Sequence, residues 1–213
     1  MIDLPTDLPA DLVPLAWLLG QWQGTGVIDY TAEGVRYAGE FTHRVSFVVD
    51  GDALAYSARA WLHSPDVSTD HPQTSDGEQL PGNALVSETG YWRLARPATE
   101  QDAGPGLLPG TGVQTSRTAD DVELLRTAEG GFEVEAAIVH SDGISELYLG
   151  QARGPRIDLA SDAVIRTASA KPYTAATRMY GLVEEHLLWA WDIAALGAPL
   201  AAHASARLAR ITP

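Results

Sequence analysis

Residues 132–144 read Phe132-Glu133-Val134-Glu135-Ala136-Ala137-Ile138-Val139-His140-Ser141-Asp142-Gly143-Ile144. Phe132, Val134, Ala136 and Ile138 alternate with Glu133, Glu135, Ala137 and Val139, the period of two expected of a half-buried β-strand. His140-Ser-Asp-Gly143 then reads as a hairpin turn, with Asp-Gly its strongest element, leading straight into a second strand from Ile144. One strand of this kind, tied to its neighbour by a tight turn, sets an antiparallel pattern that the rest of the chain repeats.

Working outward, turn residues and β-rich runs alternate along most of the sequence. Strands are expected at about 21–30, 37–49, 53–63, 84–96, 132–140, 144–152, 155–169, 174–184, 187–194 and 204–212, with Leu187, Trp189 and Trp191 on one face of the ninth. Before them, Leu12, Leu15, Ala16 and Leu19 follow the i, i+3, i+4, i+7 rule, so a short amphipathic helix is expected after Pro9, weakened by Pro14 and stopped by Gly20. Two stretches, at about 64–83 and 97–121, are rich in Pro, Gly, Ser, Thr and Asp and read as long surface loops. Val122-Glu-Leu-Leu125 follows the second loop and has the composition of a short strand. No inter-domain linker is visible, so residues 1–213 are expected to form a single all-β domain, a closed barrel or a sandwich. Closure would remove the exposed edges of so extensive a sheet.

Composition narrows the chemistry. Fourteen basic against 28 acidic residues give a formal charge of −14, which repels phosphate backbones and anionic lipid surfaces, so neither nucleic acid nor membrane is an expected partner. The chain has no cysteine, which excludes disulfides, thiolate zinc sites, iron–sulfur clusters and thiolate-ligated haem. The first residues lack the basic and apolar regions of a signal peptide, and no uncharged apolar run approaches the roughly 18 residues of a membrane span. A cytoplasmic protein is expected.

Gly20-x-Trp22-x-Gly24-x-Gly26 superficially resembles a dinucleotide-binding fingerprint, but here a helix precedes and strands follow, the reverse of the frame that motif needs. Glycines that let a first strand bend across a barrel floor, with Trp22 filling the base, explain it better. No nucleophile elbow, His-Glu-x-x-His or P-loop is present. Of the six histidines, His71 and His186 fall in polar turns or loops, and His43 and His63 sit in or at the end of strands with unknown facing. His140 follows the inward parity of its strand, although its place beside a turn favours the rim. His203 lies in Pro199-Leu-Ala-Ala-His-Ala-Ser-Ala-Arg-Leu-Ala-Arg-Ile211, where the local sequence admits a structural residue or a metal ligand.

Four segments occur together and in order: Gly20-x-Trp-x-Gly-x-Gly26, Ser87-Glu-Thr-Gly-Tyr91, Ser169-Ala-Lys-Pro-Tyr-Thr174 and Pro199-Leu-x-x-His203-x-x-Ala206-x-Leu208. The ordered set resembles the nitrobindin family, haem-binding relatives of the fatty-acid-binding-protein-like barrels, from about Leu15 onward apart from the two long loops. The resemblance implies a ten-stranded antiparallel barrel holding haem b, one per chain. By position, His203 matches the axial ligand of the haem iron and Lys171 a residue beside the haem. Both assignments fit the chemistry, since neutral imidazole is a standard haem ligand and a lysine ammonium can pair with a propionate. In a regular final strand, however, His203 would face the same way as Ser205 and Arg207, so the ligand role requires a turn or bulge at that point. Where many members carry a histidine before Ser-Glu-Thr-Gly, this chain has Leu85 and Val86.

The activity so implied is conversion of peroxynitrite to nitrate at a ferric, histidine-ligated iron, with nitric oxide as a further ligand and a homodimer as a possible assembly. The alternative is a non-catalytic carrier of a fatty acid or other apolar molecule, since small barrels commonly enclose one ligand.

Overall fold

The computed structural model describes residues 7–32, 34–63, 83–113 and 115–211. Ten strands close into one antiparallel barrel: β1 (Gly20–Ala32), β2 (Val35–Asp50), β3 (Ala53–Leu62), β4 (Asn83–Leu94), β5 (Phe132–His140), β6 (Ile144–Ala152), β7 (Arg156–Arg166), β8 (Tyr173–Val183), β9 (His186–Ala195) and β10 (Ala201–Ile211). Each strand pairs with its neighbours in sequence, and β10 returns to β1. The strands begin and end within about three residues of the positions expected from alternation. The 64–83 loop lies almost wholly outside the described residues, as does His71.

Up-and-down order gives the barrel two unlike ends. At the base a 3₁₀ helix, Ala10–Leu18, buries Leu12, Leu15 and Leu18 completely. The helix is 3₁₀ because Pro14 sits inside it and removes an N–H that an α-helical ladder would use. Trp22 is fully buried just above, its indole N–H donating to the Leu18 carbonyl at 2.7 Å. The Arg210 guanidinium lies over the same ring, 4.1 Å from its centroid, and also donates to the Leu19 carbonyl. The connection from β4 to β5 runs along this end too. Val122 there belongs to a helix, α1 (Ala119–Glu123), and not to a strand. The reason is local: Thr118 accepts from the Asp121 N–H while the Asp121 carboxylate accepts from the Thr118 N–H, a reciprocal cap that starts a helical turn.

Two glycines of β1 are needed for closure. A methyl group on Gly24 would run into the Arg207 carbonyl and lie 2.9 Å from the Leu208 Cα. One on Gly26 would lie 2.8 Å from the Ala206 Cβ. Without side chains at these points β1 coils tightly against β10.

The opposite end, the mouth, carries the β1–β2, β5–β6, β7–β8 and β9–β10 turns. Here β7 and β8 part: their ladder runs only from Arg156↔Gly181 to Ala160↔Thr177, and beyond it β7 pairs with β6 alone.

Candidate functional site at the barrel mouth

His203 is delivered to the mouth by an irregularity. The ladder between β10 and β9 pairs Ala202 with Asp192 and Ala204 with Trp191, so His203 is the extra residue at a register shift. A bulge breaks strict alternation, and His203 can turn inward although Ala204, Ala206 and Leu208 already hold the inward parity. The imidazole rests on the Tyr30 ring, with centroids 4.0 Å apart, and meets the Trp191 ring edge-on at 5.6 Å. Burial against these rings pushes its pKa down to about 4, so at neutral pH the ring is uncharged and one nitrogen carries a free lone pair. A cavity of about 400 Å³ opens beside it, lined by Tyr30, Ala32, Ile193, Ala195, Ala202 and His203, among others. Most of these side chains are small and apolar.

Lys171 is exposed on the β7–β8 connection at the same end. The next residue, Pro172, accepts a hydrogen bond at 2.9 Å from the Leu196 N–H of the β9–β10 turn, which ties the two rim segments together. Of the two residues that precede Ser-Glu-Thr-Gly, Leu85 is exposed and Val86 packs against the core. Neither offers a hydrogen-bond donor from its side chain.

Beneath the mouth lies a polar cluster that alternation alone does not announce. Arg178 on β8 is fully buried and forms a bidentate pair with Glu88 on β4, at 2.7 and 2.9 Å. Its remaining reach goes to the Tyr148 hydroxyl at 2.9 Å and to Glu146 at 3.2 Å. Glu146 also accepts from Tyr148 and Tyr173, and His140 Nε2 lies 2.6 Å from it. Burial by itself would raise the Glu88 pKa, but the Arg178 guanidinium, with His140 and the Tyr56 hydroxyl, brings it down to about 2. Glu146 is likewise held below the usual carboxylate range, against burial, by His140, Arg178 and the two phenols.

His140 therefore points inward and is buried, not placed at the rim. The available signal was parity: Glu88, Glu146 and Arg178 each sit at an inward position, Glu146 between Ile144 and Tyr148 and Arg178 between Ala176 and Tyr180. His43 is also inward and fully enclosed against Trp189, with its Nδ1 lacking a hydrogen bond and its pKa pushed down to about 4 mainly by burial. His63 pairs with the Thr42 hydroxyl at 2.8 Å, and His186 donates from Nδ1 to the Glu184 carbonyl of its own turn.

The Arg178 guanidinium also lies over the Trp191 ring, 4.6 Å from its centroid, while Trp191 meets His203. The charged cluster thus supports the aromatic floor on which the mouth histidine sits. The indole nitrogens of Trp189 and Trp191 have no hydrogen-bond partner among the described residues.

A porphyrin needs an apolar slot, a neutral nitrogen for its iron and a cation near its carboxylates. His203, the alanine-rich mouth and Lys171 match those three needs by residue type.

Fold and mouth together define a small-ligand-binding β-barrel with an imidazole presented to its cavity. The chain belongs to the family of THAP4-like, haem-binding β-barrel domains, whose model matches residues 11–210. It is similar to the peroxynitrite isomerase of Leifsonia xyli subsp. xyli, 56% identical over 211 residues and 99% of each chain. It is also similar to the peroxynitrite isomerase of Clavibacter michiganensis subsp. michiganensis, 53% identical over 212 residues, 99% of this chain and 100% of the relative. Among solved structures, Rv2717c from M. tuberculosis superposes with a TM-score of 0.63 at 25% identity, over 99% of this chain and 100% of that one.

Proposed function

We propose that this protein is a peroxynitrite isomerase that binds one haem b at the barrel mouth, with His203 as the axial ligand of a ferric iron. The observation that carries the reading is the register shift at His203, which brings a neutral, lone-pair-bearing imidazole to the cavity. The names of the relatives support the activity and the family supports the cofactor.

When bound, haem would supply the ferric iron that activates the O–O bond of peroxynitrite for isomerisation to nitrate. The chain's own residues hold and shape that site. His203 would offer its lone pair to the iron, and the Tyr30 face and Trp191 edge hold its ring in one orientation. Lys171 offers a point charge to a propionate that a chain of charge −14 would otherwise repel. The alanines of the mouth exclude water without crowding a planar ring. Leu85 is exposed and Val86, packed against the core, has no side-chain donor, so neither would hydrogen-bond a small ligand of the site, nitric oxide among them. The chain is read as a single barrel domain working in the cytoplasm. No helix among the described residues is long and apolar enough to cross a membrane.

The polar cluster weighs against the fatty-acid carrier. A buried carboxylate ligand needs a cation, and Arg178 is already engaged by two glutamates and a tyrosine. An incoming carboxylate would meet Glu88 and Glu146 instead. Titrating the apoprotein with haemin and following the Soret band tests the reading. Saturation at one haem per chain is expected, whereas absence of a band, with lipid recovered from the barrel, would overturn it.

A further inference from the structure

We propose that Tyr30 and Tyr37 form an outward one-electron path from His203, and that Tyr37 is where oxidising equivalents escaping the site are trapped as 3-nitrotyrosine. The proposal rests on the peroxynitrite reading above and adds to it a self-modification site.

The geometry is a continuous run of ring contacts, the first tilted by 32°. His203 lies on Tyr30 at 4.0 Å, and Tyr30 lies on Tyr37 at 5.2 Å with the planes only 18° apart. Tyr30 and Tyr37 face each other across the β1–β2 ladder. The path leads outward, because Tyr37 is 46% exposed. Tyr30 is half-buried between the two rings. Tyr37 borders water, which takes the proton released when a phenol is oxidised.

The inward route is closed by comparison. Trp191 also meets His203, but the Arg178 guanidinium over its face opposes removal of an electron, and its indole N–H has no partner among the described residues to receive the proton. Tyr173 has a proton acceptor in Glu146 but is buried, so nitrogen dioxide cannot readily reach its ring.

The chemistry balances as follows. Peroxynitrous acid is the oxidant: as its O–O bond breaks, the phenol loses one electron and its hydroxyl proton, giving a tyrosyl radical, water and nitrogen dioxide. Nitrogen dioxide then bonds to the ring carbon beside the phenolic carbon, and the hydrogen on that carbon moves to the phenolic oxygen. In sum, one tyrosine and one peroxynitrous acid give one 3-nitrotyrosine and one water, the ring oxidised by two electrons and the peroxide reduced by two.

The chain contains an internal control. Of its seven tyrosines, Tyr56, Tyr148, Tyr173 and Tyr180 are buried, and Tyr91, on the outside of β4, is 55% exposed. Exposure alone therefore favours Tyr91 over Tyr37, and contact with the site favours Tyr37. The test is peptide mapping of 3-nitrotyrosine after a peroxynitrite pulse on haem-loaded protein, on apoprotein and on haem-loaded Tyr30→Phe, with haem uptake verified by the Soret band. The expected result is nitration of Tyr37 several-fold above Tyr91 in the haem-loaded protein, reversal of that order in the apoprotein, and a several-fold fall at Tyr37 in Tyr30→Phe. Dominant nitration at Tyr91 or Tyr173 in the haem-loaded protein, or unchanged Tyr37 labelling in Tyr30→Phe, overturns the path while leaving the isomerase reading standing. Absence of a Soret band overturns both.

Discussion

Arg178 and Glu88, ninety residues apart in sequence, meet as a bidentate ion pair in the middle of the barrel, with side chains 0% and 3% exposed. A second carboxylate, Glu146, shares the same guanidinium. Removing the cation leaves two buried carboxylates with only His140 and tyrosine hydroxyls as partners. Arg178→Met is therefore expected to destabilise the barrel by about 3–5 kcal/mol, read as a lower urea midpoint. Combining it with Glu88→Gln and Glu146→Gln removes the stranded charges and is expected to recover much of that loss. Tryptophan emission should also change in the single variant, since Trp191 loses the guanidinium from its face.

His43 gives the stability curve a limb above the carboxylate range. Its folded pKa of about 4 lies below the ordinary 6.5, so as pH falls the unfolded chain takes up the proton first. The stability it withholds from acid is whole above pH 6.5 and declines down to pH 4, by about 3 kcal/mol for a shift of this size. Glu88 acts lower: its contribution is complete above its ordinary 4.5 and is lost as pH falls towards 2. His43→Leu removes both the titration and the unpaired Nδ1. Urea unfolding at pH 5 and pH 7 should show the variant gaining on the wild type at pH 5, and a parallel pH dependence in the two would contradict the account.

Gly24 tests closure. In Gly24→Ala the new methyl meets main chain of β10, which cannot swing aside as a side chain would. A loss of about 1–3 kcal/mol is expected by thermal or urea unfolding, the scale of overpacking. The same change at Gly34, in the β1–β2 turn where nothing lies within 4 Å, lacks the clash and is disfavoured only by its positive φ of 80°.

Much of this architecture was legible from the pattern of apolar residues, and the reasons for the rest are specific. Strand positions followed from alternation because the barrel's inside is apolar over most of its height. Two local features departed from expectation: Pro14 converts the first helix to 3₁₀, and the Thr118–Asp121 cap turns Val122 into a helical residue. The polar cluster escaped because charged side chains are ordinarily placed outside, and only three-dimensional closure shows that Glu88, Glu146 and Arg178 neutralise one another. Tyr30 escaped for a related reason. Its tie to His203 joins the first strand to the last, and no local pattern spans that distance.

In the proposed site Lys171 would contribute by charge alone. It is exposed, so an attraction for a haem propionate would be worth about 0.5–1 kcal/mol, which is about a two- to fivefold change in haem affinity. Lys171→Gln should speed haem transfer to an acceptor such as apomyoglobin by that factor, and the difference should shrink at high salt. The Soret maximum should not move, since the axial ligand is unchanged.

The central claim is that His203 holds the iron. The direct measurement is the Soret spectrum of haem-reconstituted His203→Ala alongside its rate of peroxynitrite decay by stopped flow. The account expects the band to be lost or strongly shifted and the decay to fall to the rate in buffer, with far-ultraviolet circular dichroism still reporting a β-barrel. A folded His203→Ala protein that keeps the wild-type Soret band and the wild-type decay rate would contradict it.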